Sequence, residues 1–223
     1  MLLGHYAVAL AAKRYAPRTS LGTLVLSAQF LDLLWPIFVL LGWEHVNIVP
    51  GLMAASPFDF VDYPISHSLL TAALWGVLLG AGYYVLRRNR RSAIVIAVAV
   101  LSHWLLDAVV HRPDLPLWPG SATKVGFGLW NSVAATVAVE GLLFFIGILM
   151  YVRATRPRDR TGTVALAAMV VLLAVIFVSG FFAPPPLSAR WVALAGIGLW
   201  LFVPWAYWID AHRAASRVHG GGL

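Results

Sequence analysis

The chain has 223 residues, 61% hydrophobic and only 11% charged, with a mean hydropathy of +0.82; a soluble domain carries roughly 25% charged residues, so a water-soluble globule is excluded. The net charge of +7 sits in short clusters between apolar runs, which points to topology determinants and not to nucleic acid. There is no cysteine, so a thiolate metal site is excluded.

Apolar segments of membrane-spanning character follow one another along the chain. The first, residues 2–12, carries His5 and is too short to span unless Lys13 and Arg14 snorkel. Its basic residues follow the apolar run, so no removable leader is expected. The second, 21–42, holds Asp32 and Pro36, and a loop with Glu44, Asp59 and Asp62 comes next. The third, 66–86, opens on His67-Ser68, and the fourth, 92–111, contains His103, Asp107 and His111. Those three are four residues apart, so on a helix they form one polar stripe on an apolar rod. The fifth, 126–152, carries Glu140; the sixth, 163–182, ends at Pro184-Pro185-Pro186; the seventh, 190–210, contains Pro204. The pattern predicts an all-α polytopic membrane protein with about six transmembrane helices plus a short N-terminal helix. One transmembrane domain is expected over 1–212, followed by a tail, 213–223. No repeat is detectable, and no pair of broken helices is expected.

The basic residues alternate between connections. Lys13, Arg14 and Arg18 form one cluster, then come Arg87, Arg88, Arg90 and Arg91, then Arg153, Arg156, Arg158 and Arg160, and finally Arg213 and Arg217. The intervening loops hold only Arg112, Lys124 and Arg190. The positive-inside rule therefore predicts a cytoplasmic C-terminus and an external 43–65 loop.

Each ionisable residue within an apolar segment is costly, a mid-helix Asp by about 2.5–3.5 kcal/mol. Counting from the nearest basic cluster at about 1.5 Å per residue puts Asp32 and His103 roughly 18 Å deep, Glu140 roughly 20 Å and Asp107 roughly 24 Å. His67 and His111 come out near the outer surface, at roughly 30 Å. Groups from several helices thus share a layer, which suggests one site. A lone membrane histidine can be a core residue bonded to a carbonyl; Asp107 one turn after His103 favours a site, because both can face one ion. His111 lies just before Arg112-Pro113, where the helix must end, and reads as an interfacial cap. Glu140 reads equally as a partner for a neighbouring helix. Asp59 and Asp62 read as solvated, and His212 and His219 as tail residues without a partner.

Four motifs in order carry a family resemblance: Gly4-His5-Tyr6, Gln29-Phe30-Leu31-Asp32, Ile65-Ser66-His67-Ser68 and His103-Trp104-Leu105-Leu106-Asp107. Together they resemble the bacterial inner-membrane metal-dependent hydrolases of the YdjM-like type. The family's acidic motif usually reads Pro-Asp-x-Asp, where this chain keeps only Asp32. The stretch before the His-Ser pair usually begins His-Arg-Gly, where this chain has Asp62-Tyr63-Pro64. The resemblance implies a divalent metal held by a pool of His5, Asp32, His67, His103 and Asp107. The chemistry of such a site then makes Glu140 a candidate general base or supporting partner, and Ser68 a candidate donor to a developing oxyanion. Three His with one or two carboxylates favour zinc, whose bound water has a pKa lowered towards 7. The expected activity is hydrolysis of an ester, amide or phosphoester in a membrane lipid or lipid-linked substrate near the outer leaflet. The rival readings are an ion-coupled transporter, since buried His, Asp and Glu also mark ion pathways, and a non-catalytic scaffold.

Overall fold

The computed structural model describes residues 1–216; Arg217 and His219 lie outside the described residues. In chain order the elements are α1 (Leu2–Tyr15), α2 (Leu21–Ala28), α3 (Phe30–Leu40), β1 (His45–Ile48), β2 (Phe58–Asp62), α4 (Pro64–His67), α5 (Leu69–Arg87) and α6 (Arg90–Val110). They continue with β3 (Leu115–Pro116), β4 (Lys124–Val125), α7 (Val133–Ala154), β5 (Thr155–Pro157), α8 (Arg160–Ser179), α9 (Ala189–Ile197), α10 (Phe202–Ala211) and β6 (Arg213–Ala215). Among the described residues, five helical stretches are long and apolar enough to cross a membrane, with α9–α10 forming one of them, and α2–α3 make a sixth if counted as one bent span. This is an all-α polytopic membrane protein. The three strand pairs are short antiparallel ribbons in the connections.

Local chemistry sets most helix starts. The side chains of Ser20, Ser68, Asn89, Ser132 and Asp159 each accept a backbone N–H from the first turn that follows. Lipid is as apolar as a leucine side chain, so packing between the helices depends on close approach rather than on escape from water. Gly76 and Gly80 of α5 are one turn apart and lie against the backbone of Ala97 and Ala93 of α6, where an added Cβ would come within 2.8 Å of each carbonyl oxygen. Gly147 of α7 lies equally close to the backbone of Ala7 in α1.

The short first helix has an unexpected place. α1 is surrounded by α2, α6, α7 and α8 and forms the centre of the bundle. Tyr6, Ala9 and Leu10 are fully buried there with Leu24, Met169 and Leu173. Lys13 does not snorkel: its ammonium is buried and donates to Asp210 and to the Thr19 carbonyl at 2.8 Å.

Two helix boundaries differ from the sequence expectation. The 21–42 segment is broken at Gln29 and bent by 55° between α2 and α3, so the chain does contain a broken helix. The 126–152 segment becomes helical only at Val133. Before that, the Phe127 and Gly128 N–H groups are drawn to the free carbonyls of Ala108 and His111 at the end of α6. Gly126 crosses so close to the Arg112 carbonyl that no side chain fits.

The basic clusters gather at one end of the bundle. Arg18 and Arg91 share one cleft, and Arg18, Arg87, Arg88 and Arg90 another. The first residues of the expected tail are paired there: β6 lies against β5, and buried Arg213 donates to the Thr155 hydroxyl and the Gly162 carbonyl. His212 also has a partner at this end, Asp159 at 2.7 Å. The β1–β2 ribbon and the 111–132 connection lie at the opposite end, tied by Arg112 to Asp59.

Candidate metal centre

Three histidines and two aspartates from four helices meet in the half of the bundle away from the arginines. His5 comes from the first turn of α1, Asp32 from the first turn of α3, His67 from α4, and His103 and Asp107 from α6. The break at Gln29 positions two of the interactions. It places Asp32 at a helix start, and it leaves the Ala28 carbonyl facing His103, whose Nδ1 donates to it at 2.7 Å. Ligand atoms of His5, His103 and Asp107 lie within 4.8 Å of one another, and so do those of Asp32, His67 and His103.

Hydrogen bonding fixes which ring nitrogens face inwards. A carbonyl only accepts, so His103 must carry its proton on Nδ1, and a neutral ring then leaves Nε2 bare. That nitrogen is fully buried and has no hydrogen-bond partner among the described residues, yet lies 3.2 Å from an Asp107 oxygen and 3.5 Å from Asp32. His67 is set in the same way. Glu44 accepts the Ser66 hydroxyl at 2.6 Å, so Ser66 Oγ in turn accepts a hydrogen bond from the His67 Nδ1–H at 2.7 Å. His67 Nε2 then faces Asp32 at 3.5 Å and Asp107 at 3.6 Å. The ring of His5 stacks on His103 at 3.5 Å; its Nε2 lies 3.1 Å from Asp107, and its buried Nδ1 has no partner among the described residues. The Met1 α-amino group also reaches Asp107, at 2.6 Å. Lone pairs of neutral imidazoles pointing at carboxylate oxygens repel each other. Such an arrangement needs protons or a cation between them.

Other groups singled out in the sequence are committed elsewhere. Glu140 is buried at similar depth but accepts the Leu3 N–H at 2.8 Å, satisfying the free N-terminus of α1 just before His5. Ser68 Oγ bonds Thr71 as the cap of α5. His111 is the C-cap residue of α6; its Nδ1 donates to Asp114 at 2.9 Å, an oxygen that also accepts from Tyr63. Burial and the Asp114 carboxylate push the Tyr63 phenol well above its ordinary value, so it remains a donor. Asp62 is exposed at the end of β2, outside the cluster.

Two residues that the sequence did not single out support the cluster. Glu44 accepts three donors, the Ile65 and Ser66 N–H groups at 2.8 Å and the Ser66 hydroxyl, and so holds α4 in place. Burial pushes its carboxyl above the ordinary range, and those donors offset part of the shift. Glu44 and Ser66 are 22 residues apart, so only the folded chain joins them. A cavity of about 190 Å³ opens onto Asp32, His67 and Asp107 and is walled by Trp35, Phe60 and Trp130.

A family model described as YdjM inner membrane protein matches residues 1–183, and the chain belongs to that family. The matched stretch contains the whole cluster and Glu140; Val192, Gly196 and Leu199, on one wall of the cavity, lie beyond it. No curated protein and no solved structure matches the chain.

Proposed function

We propose, from this membership and the geometry of the cluster, that the protein is a membrane-embedded metal-dependent hydrolase. His5, Asp32, His67, His103 and Asp107 form the ligand pool. The observation that carries the reading is the buried, unpartnered Nε2 of His103 facing two carboxylates. An all-His and Asp donor set suits zinc among the divalent ions. His103 belongs to both triads but offers a single nitrogen, because Nδ1 is held by Ala28. One lone pair serves one ion, which favours a single ion over two.

When bound, such an ion lowers the pKa of its water towards 7 and polarises a carbonyl or phosphoryl oxygen. The chain's own part is to fix the ligands and exclude bulk water. The Ala28 carbonyl and the Glu44–Ser66 pair hold His103 and His67 with Nε2 turned inwards. Glu140 keeps the first turn of α1, and with it His5, in register, which makes it a positioning residue in this reading. Ser68 is spent on its helix and has no part in the reaction. The scissile ester, amide or phosphoester enters through the aromatic-walled cavity. The C-terminus is assigned to the cytoplasm, so the cavity opens on the outer side.

The broken α2–α3 pair favours a second reading, ion-coupled transport, because discontinuous helices often carry such sites. Towards the arginine end, however, the interior is packed with Leu10, Leu24, Val25 and Phe202. Hydrolysis of chromogenic ester, amide and phosphodiester substrates by detergent-purified protein tests the proposal. Turnover should vanish with a chelator, return with zinc and be absent in Asp107→Asn. Turnover indifferent to both chelator and substitution, or ion counterflow in liposomes without any turnover, overturns it.

A further inference from the structure

A second cavity, of about 520 Å³, lies beside the first, and the two share Leu2, Phe58 and Trp130 as a common wall. It exists because α7 and α8 scarcely touch. α7 packs along α1, whereas α8 packs on α10 and only lightly on α1. Joined at the arginine end through β5, the two helices leave a slot between Thr136 and Glu140 on one side and Ile176 and Phe177 on the other. Pro184–Pro186 and the loop before β2 close its top. The polar groups in its wall are already satisfied: Thr136 donates to the Ser132 and Leu129 carbonyls, and Glu140 accepts from Leu3. The slot therefore offers a ligand mainly apolar surface. Its flanks, Val137, Val175 and Ile176, are exposed on membrane-spanning helices.

A void between two spans that opens to lipid is filled by what surrounds it, and in the hydrocarbon layer that is a methylene chain. We propose that this slot seats one hydrocarbon chain of the substrate, a lipid that enters sideways between α7 and α8 and presents its head group at the His/Asp cluster. This rests on the hydrolase reading and deepens it by giving one chain of the expected lipid ester, amide or phosphoester a seat of its own. Leu2, Phe58 and Trp130 then mark the junction where the chain ends and the scissile group begins.

Photolabelling in nanodiscs tests the seat without needing turnover. The probe is phosphatidylglycerol with a diazirine midway along one acyl chain, and the labelled residues are mapped by mass spectrometry. Ile176 and Phe177 should be labelled several-fold more than Val77 and Leu78, which lie on the exposed face of α5. Filling the slot with Ile176→Trp, or with Gly180→Trp as a second variant, should reduce that excess to the α5 level. Slot labelling no greater than on α5, or unchanged in both filled variants, overturns the seat. Asp107→Asn should be labelled like the wild type. A protein labelled in the slot that hydrolyses nothing refutes the hydrolase reading alone, and one that hydrolyses lipids without slot labelling refutes the seat alone.

Discussion

Ser66→Ala tests whether the chain from Glu44 to His67 tunes the cluster. The substitution removes one hydroxyl and with it two contacts, the 2.6 Å bond to the Glu44 carboxylate and the 2.7 Å bond from His67 Nδ1. Glu44 keeps the two backbone N–H groups of Ile65 and Ser66, so α4 stays anchored. A hydrogen bond to a charged group is worth about 1.5–3 kcal/mol, which sets the expected loss of folding stability. Loss of a group that orients a ligating histidine costs about 10–100-fold in metal affinity. Ser68→Ala is the matched control two residues on: it removes the cap of α5 and should cost about 1 kcal/mol of stability with unchanged metal affinity. Competition with a chromophoric zinc chelator in detergent gives the affinity, and thermal unfolding by circular dichroism gives the stability. Equal zinc affinities in the two variants, or a larger loss in Ser68→Ala, refute the assignment of roles.

Gly147→Val should push α7 away from α1, because an added Cβ would come within 2.6 Å of the Ala7 carbonyl oxygen. It should displace His5 and lower both melting temperature and bound metal, whereas Gly141→Val, where an added Cβ meets nothing within 4 Å, should change neither. Reporter fusions after Leu223 and within 51–56 should report opposite compartments, the C-terminal one cytoplasmic; a shared compartment contradicts the charge assignment.

Much of the architecture was readable because the chain alternates long apolar runs with arginine clusters, and depth could be counted from those clusters. Counting put Asp32, His103 and Asp107 at one height, where the folded chain also brings them together. Height carries no information about direction around the bundle, however. Glu140 has the right depth but faces the start of α1. The break at Gln29 left no glycine or proline signal at that residue; Pro36 lies further along, inside α3. The pairing of Glu44 with Ser66 was not legible because it joins a loop to a distant helix. The cap at Ser68 was legible in principle, since a serine three residues before Thr71 at the start of an apolar run is ordinary capping chemistry. His67 between two serines drew attention to the wrong one.

The central claim is that the buried His/Asp cluster holds a divalent ion, and elemental mass spectrometry tests it directly. Protein purified in detergent without chelator should carry close to one zinc per chain, lost in both His103→Ala and Asp107→Ala and retained in His111→Ala. Folded wild-type protein free of transition metal would contradict the account, and the carboxylates would then be neutralised by protons and the Met1 ammonium group.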